Sequence, residues 1–197
     1  MKIDQVMIKE MLGNEAVGQY AVAVRISEAW YFIPIVITSS LFPAIINAKK
    51  VSEKLYYERL QKLYDLMVWM AIAIALPMTF FSDWVVELLY GKEYNKAGDV
   101  LMIHIWAGVF VFLGVAQGKF WIVNNLQKQQ FLVTLSCMIV NVFLNLFLIY
   151  PFGVNGAALA TLISYGLGSL FFPLLFKDVR PMMFLTYKTF CLRRYIR

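Results

Sequence analysis

The sequence is poor in charged residues and in the residues that build metal and redox sites. Only 15% of its 197 residues are charged, and it contains two cysteines and a single histidine. Cys137 lies in an apolar stretch and Cys191 near the C-terminus, with no CxxC or Cys/His spacing around them. The pattern predicts neither a disulfide framework nor a zinc site, and we expect no metal and no cofactor.

Strand-like alternation is also missing. Hydrophobic residues make up 61% of the sequence, and the mean hydropathy is +0.67. The apolar stretches are longer than strands and lack the period-2 pattern of membrane barrels, so we interpret them as helices that satisfy their own backbone in lipid. The first residues show no basic segment followed by an apolar one, so we do not expect them to be a signal peptide. We predict an all-α, polytopic transmembrane helix bundle.

The stretch from 20 to 48 is apolar and long enough to cross a hydrocarbon core of about 30 Å, yet it contains Arg25 and Glu28. These two residues are three apart and share one helix face. Facing lipid at mid-depth, each would cost roughly 2.5 to 3.5 kcal/mol. Two interpretations remain open: a structural ion pair near a helix end, or charged positions that line a polar cavity.

The membrane domain is expected to cover residues 1–176, with about five full spans and one partial N-terminal span. The partial one, residues 1–12, is interpreted as the end of a span whose start is missing, the alternative being an interfacial helix. The full spans are predicted at 20–48, 63–81, 100–123, 131–150 and 157–176. The turn PFGVNG, which starts at Pro151, is short enough to force the last span back antiparallel to the one before it.

Basic residues concentrate in the connector 49–62 and in the tail 177–197, whereas the loop after Phe81 carries only Lys92 and Lys96 as basic residues. By the positive-inside bias, the connector and the tail should face the cytoplasm. The tail is expected to be a basic amphipathic segment on the anionic membrane surface. Its basic residues are Lys177, Arg180, Lys188, Arg193, Arg194 and Arg197. The net charge of +6 is therefore explained without nucleic acid, which we do not expect as a partner.

Other polar residues within the spans have structural interpretations. His104 is expected to be a packed histidine rather than a proton relay. Asn141 and Asn145 lie four apart on one helix face and are expected to hydrogen-bond between helices. No constellation for transferase chemistry is present, and we predict no catalytic residue and no enzyme. A membrane-embedded enzyme remains the alternative from another class.

Four segments carry a resemblance to a family. They are KIDQVMIKEMLG from Lys2, VGQYAVAVRISEAWYFIP from Val17, SSLFPAI from Ser39 and, more weakly, FGVNGAALAT from Phe152. They resemble the C-terminal half of the polysaccharide and O-antigen flippases of the multidrug/oligosaccharidyl-lipid/polysaccharide exporter superfamily, with the first segments similar to the seventh and eighth helices.

The resemblance implies a multi-pass protein of the bacterial inner membrane with a cytoplasmic C-terminus. It implies translocation of an undecaprenyl-diphosphate-linked oligosaccharide, for O-antigen or another surface polysaccharide, by alternating access. The cavity cations it suggests are Lys2, Arg25 and Lys119, with Asp4 and Glu28 as partner or ion-coupling carboxylates. For Lys2 and Lys119, snorkelling at a span end is the equally open alternative.

The family builds its site between two halves, and this sequence matches about one. We therefore expect the chain to be a fragment. Its expected partners are membrane lipid, a lipid-linked oligosaccharide substrate, and either a missing N-terminal half or a second copy of the chain. The drug/cation antiporter branch of the superfamily is a further alternative, although Arg25 and Lys119 argue against the acidic cavity expected there.

Overall fold

The computed structural model describes residues 2–191, and this part of the chain is helical and contains no strand. Four helical segments are long and apolar enough to cross a membrane: Asn14–Val51, Glu53–Tyr90, Lys92–Val123 and Gln127–Leu175. The α-helices are α1 (Lys2–Leu12), α2 (Asn14–Glu28), α3 (Phe32–Val51), α4 (Glu53–Tyr90), α5 (Asn95–Val123), α6 (Gln127–Leu170) and α7 (Arg180–Phe190). The all-α prediction is confirmed, while the four candidate spans do not by themselves establish five crossings.

α2 and α3 form one long rod. Only a short 3-10 turn, Ala29–Tyr31, separates them, so the predicted span at 20–48 lies within a continuous helical segment of 38 residues. Pro34 lies in the first turn of α3, where its missing N–H is tolerated, and Pro43 lies inside the helix. The most apolar stretch of this rod is less buried than the corresponding stretches of the other three candidate spans, whereas seven of the 15 residues of α2 are buried against the bundle.

α6 folds back on itself at Gly153. That residue has a φ of 58° and a ψ of −138° inside an otherwise helical segment, a conformation that glycine adopts without steric cost. Gly156 then packs against the backbone carbonyl of Leu148, and Gly168 against the thiol of Cys137. These two contacts show that the limb after Gly153 runs antiparallel to the limb before it, as predicted from PFGVNG.

The bundle has two distinct ends. The turns at Gly13, Gly91 and Gly153 lie at one of them, the hairpin end, where the side-chain amide of Gln19 donates to the backbone carbonyl of Glu93 over 2.8 Å. The turns at Ser52 and Asn124–Asn125 lie at the opposite, basic end. This end is rich in Lys and Arg: Lys49, Lys50, Lys54, Arg59, Lys62, Lys119, Lys128, Lys177, Arg180 and Lys188.

The predicted amphipathic tail begins with α7, which packs one face against the bundle. Gln61 Nε2 donates to Thr189 Oγ1 over 2.9 Å, and Gln117 Nε2 donates to Thr186 Oγ1 over the same distance. Phe184 is exposed on the other face. α4 and α5 thus hold this helix through buried amides. The predicted tail residues Arg193, Arg194 and Arg197 lie outside the described part of the chain.

Candidate functional site

Asp4 is the most completely enclosed charged side chain among the predicted site residues, with none of its surface exposed. α1 and α2 form a tight pair around Gly13, which has a φ of 90°. This turn brings Tyr20 back beside Asp4, and the tyrosine hydroxyl donates to Asp4 Oδ2 over 3.3 Å. A carboxylate buried in a membrane protein is costly and for that reason usually functional.

Both limbs of α6 also contact this carboxylate. Asn145 Nδ2 donates to Asp4 Oδ1 over 2.8 Å, and Thr161 Oγ1 donates to Asp4 Oδ2 over 3.2 Å. Asn145 Nδ2 also donates to Asn141 Oδ1 over 3.2 Å. Asn145 therefore bonds between helices, as predicted, whereas the bond between the two asparagines lies within α6. We call Asp4, Tyr20, Asn141, Asn145 and Thr161 the Asp4 cluster.

The Asp4 cluster supplies one carboxylate and several neutral oxygens. Asn145 Oδ1 is buried and has no hydrogen-bond partner in the part of the chain that the structure describes. Hard oxygen donors with a single negative charge suit a proton or a small alkali cation better than a transition metal, which prefers imidazole or thiolate. Among residues 2–191, no group of three or more His, Cys, Asp or Glu side chains could hold a metal ion.

His104 adjoins the Asp4 cluster without belonging to it. Its side chain is buried, and Nδ1 lies 3.0 Å from Ser27 Oγ. The ring of Tyr20 approaches it edge-on, with centroids 6.2 Å apart. The structure thus confirms the prediction of a packed histidine.

Arg25 and Glu28 lie on the outer surface of α2. Both side chains are exposed, and within the described residues no ion pair joins them. The structure therefore does not support the interpretation of a mutual ion pair near a helix end. Since Asp4 contacts Tyr20 across the Gly13 turn, the exposed Lys2 lies near the level of Arg25 along the bundle. Lipid or another helix bundle would meet Arg25 and Glu28 on the rod and Lys2 on the neighbouring α1.

Lys119 is separated from the other predicted cations. It is half-buried near the basic end, with its ammonium group 5.0 Å from the centroid of the Phe42 ring. Phe42 and Arg25 are seventeen positions apart on one rod, about 25 Å at the rise of a helix. The predicted cations are therefore spread along a surface rather than gathered at one point.

Lys49 makes a polar contact that the sequence analysis did not single out. Its ammonium group donates to Asn124 Oδ1 over 2.7 Å and to the carbonyl of Val123 over 3.2 Å. Asn124 Nδ2 in turn donates to the hydroxyl of Tyr56 over 3.0 Å. A lysine at a helix C-terminus satisfies carbonyls that have no partner within the helix. In the sequence, Lys49 is distinguished only as one of the basic residues of the connector.

Comparisons with known proteins place these features in a family. The model of a family described as "Polysaccharide biosynthesis protein" matches residues 1–99, half of the chain. The probable low-salt glycan biosynthesis flippase Agl15 of Haloferax volcanii is 24% identical over 172 residues, which cover 85% of this chain and 36% of that protein. No solved structure matches the chain.

Two bacterial proteins are similar over comparable lengths. The capsular polysaccharide biosynthesis protein CapF of Staphylococcus aureus is 24% identical over 82% of this chain and 41% of its own length. The probable lipid II flippase MurJ of Thermotoga maritima is 23% identical over 78% of this chain and 34% of its own length. The chain thus spans little more than a third of the relatives it matches. It belongs to the family described as "Polysaccharide biosynthesis protein".

Proposed function

We propose that this chain forms one helix bundle of a translocator that moves a lipid-linked oligosaccharide across the membrane by alternating access. The observation that carries the proposal is the exposure of Arg25 and Glu28 on α2, a helix that lies within a candidate span and is otherwise half buried. Charges facing lipid near mid-depth would cost roughly 2.5 to 3.5 kcal/mol each. We infer that this face borders a polar cavity.

A cavity needs a second wall. We infer that another bundle faces the α2–α3 rod, either an N-terminal half or a second copy of the chain. Arg25 and Lys2 are both exposed near one level of the bundle, where they would counter the charge of a diphosphate. Lys119, farther toward the basic end, would meet the same group at another stage of transport. The names of the relatives, which refer to a glycan, a capsular polysaccharide and lipid II, support a saccharide or lipid substrate.

We propose five crossings, with the two limbs of α6 counted separately, and a sixth partial one by α1. The basic end would face the cytoplasm, because Lys and Arg are enriched on that side of membrane proteins. The hairpin end carries more acidic residues than basic ones near its turns. It has Glu10, Glu15, Asp83, Glu87, Glu93 and Asp99 against Lys9, Lys92 and Lys96. In a bacterial inner membrane this orientation places α7 at the cytoplasmic side.

The Asp4 cluster lies inside the bundle rather than on the proposed cavity face, so we assign it to energy coupling. Its carboxylate is bound by side chains from α2 and from both limbs of α6. A proton or an alkali cation that binds there would change how α1 packs against α6. Such a change is a means by which an ion could favour one of two bundle arrangements.

Complementation tests the proposed function. The chain, expressed with and without an N-terminal half of a flippase, is placed in a strain that lacks its O-antigen flippase, and the surface polysaccharide ladder is scored on a gel. We expect the ladder to return with the added half, and Arg25→Ala to abolish it because a cavity cation is lost.

Lys54→Ala is the matched control, since Lys54 is an exposed cation in the connector outside the proposed cavity. It should leave the ladder intact. Membrane fractionation confirms insertion of each variant. If every inserted combination fails to restore a ladder, translocation of O-antigen units is rejected. If Arg25→Ala complements fully, the charged face is not a transport surface.

A further inference from the structure

A cavity of about 530 Å³ opens at the hairpin end of the bundle. Its walls come from the turn between α1 and α2, the start of α5 and the tip of the α6 hairpin. The volume lies within the roughly 300–1,000 Å³ of small-molecule sites. The polar and aromatic side chains that line it are Glu15, Gln19, Lys96, Asp99, Phe152 and Asn155. None of them belongs to the Asp4 cluster or to the charged face of α2.

Two amides in this wall have acceptors that are not used. Gln19 is only 6% exposed, and its Nε2 donates to the carbonyl of Glu93. Since that carbonyl can only accept, the orientation of the amide is set, and Oε1 is the atom left for another contact. Within the described residues, neither Gln19 Oε1 nor Asn155 Oδ1 has a hydrogen-bond partner, and both are buried.

A buried acceptor without a donor costs about 1–3 kcal/mol. Gln19, whose amide orientation is set by Glu93, has such an acceptor beside this cavity, and a ligand hydroxyl that reached it would remove that cost. Glu15 and Asp99 add two exposed carboxylates to the same cavity, against the single ammonium group of Lys96. An anionic ligand would be repelled by these carboxylates. A neutral ligand rich in hydroxyl groups would find acceptors on several sides.

Phe152 adds an apolar surface. It lies at the tip of the hairpin beside Gly153, and its side chain is 57% exposed. Hydroxyl donors at the edge and an apolar C–H face are the two features of a sugar ring. Acceptors beside an exposed aromatic ring complement both of them.

We propose that this cavity binds a neutral, hydroxyl-rich sugar unit of the glycan at the hairpin end of the bundle. The inference rests on the proposed function for the source of the sugar, while binding itself can be measured without transport. Such a site would hold the saccharide on the side of the membrane opposite the basic end, away from the cations proposed for the diphosphate.

The test is saturation-transfer-difference NMR on the full chain in lipid nanodiscs, with methyl glucoside and glucuronate as matched probes. We expect transfer to the glucoside and little to glucuronate, because Glu15 and Asp99 repel its carboxylate. Phe152→Ala should weaken glucoside binding by about fivefold to tenfold, the effect of losing one good contact. Phe147→Ala is the control, because Phe147 is 73% exposed on the same helix and lies outside the cavity.

Asp99→Asn gives an independent variant at an exposed position, and it should admit glucuronate. The proposal is overturned if Phe152→Ala binds the glucoside as well as the unmodified chain does, or if both probes bind equally. It is also overturned if calcium chloride displaces the glucoside from the unmodified chain but not from the Asp99→Asn variant, because the cavity would then be a cation site.

Failure of the cavity and failure of the proposed function give different results. If the chain binds the glucoside through Phe152 but never complements, the sugar-site proposal stands and the translocation function is rejected. If the chain complements but its cavity does not bind the glucoside, the sugar-site proposal is rejected and the translocation function stands.

Discussion

At the scale of single residues, the burial of Asp4 defines the most specific chemistry in the bundle. Three side chains donate to its two oxygens, from positions as far apart in sequence as Tyr20 and Thr161. A buried carboxylate is tolerated only when such donors surround it. The asparagine spacing was visible in the sequence as one helix face. Its meeting with Asp4 was not, because 141 positions separate Asn145 from Asp4.

We predict that Asn145→Ala destabilises the protein by about 2 kcal/mol, since it removes a donor from a buried charged group. Thermal unfolding in detergent, followed by tryptophan fluorescence, should show a lower midpoint. Asn47→Ala is the matched control, because Asn47 is exposed on α3, and its midpoint should not move. Equal midpoints for the two variants would mean that the contact with Asp4 contributes no net stability.

At the scale of elements, the close contact between the limbs of α6 depends on small residues. A Cβ at position 156 would collide with the backbone of Leu148, which cannot move away as a side chain could. Glycines at helix contacts let two backbones approach closely in a membrane. The sequence showed the small residues of the last span and predicted a packing helix. It did not show that the partner is the preceding limb at Leu148 and Cys137.

Gly156→Ala should therefore cost roughly 1–3 kcal/mol, the usual penalty for overpacking. Gly118→Ala serves as its control, because the nearest atom to a Cβ there is 4.0 Å away and alanine favours helix by about 1 kcal/mol over glycine. Unfolding midpoints in the same detergent should fall for the first variant and stay or rise for the second. A Gly156→Ala protein as stable as the parent would show that the limbs separate without cost.

At the scale of the whole molecule, the two ends differ in charge and in the way the chain turns. Glycines with positive φ form the three turns of the hairpin end, whereas Lys49 and Asn124 join α3 to the end of α5 at the basic end. α7 also packs near the basic end through Gln61. Side-chain contacts between helices thus fix the basic end, and glycine turns form the hairpin end. The difference in charge between the two ends supports an orientation with the basic end in the cytoplasm.

Labelling with a membrane-impermeant maleimide tests that orientation. In a Cys137→Ser background, the exposed native Cys191 should react only after cells are permeabilised. In a background that lacks both cysteines, Lys96→Cys should react in intact cells, and Lys128→Cys only after permeabilisation. Position 96 lies at the hairpin end and position 128 at the basic end. The reverse pattern would invert the topology and place the sugar cavity at the cytoplasmic side.

The sequence by itself determined the helical class, the membrane setting, the turn at PFGVNG and the family, because hydropathy, turn residues and local motifs are properties of neighbouring positions. It also identified Arg25 as an unusual charge within a span, and the family resemblance suggested Asp4 and Lys119 as site residues. Only the tertiary structure decided that Asp4 is enclosed, that Arg25 is exposed without an ion pair to Glu28, and that Lys119 lies over Phe42. Such distinctions depend on which helices pack together, and contacts between distant segments leave no periodic signal in one sequence.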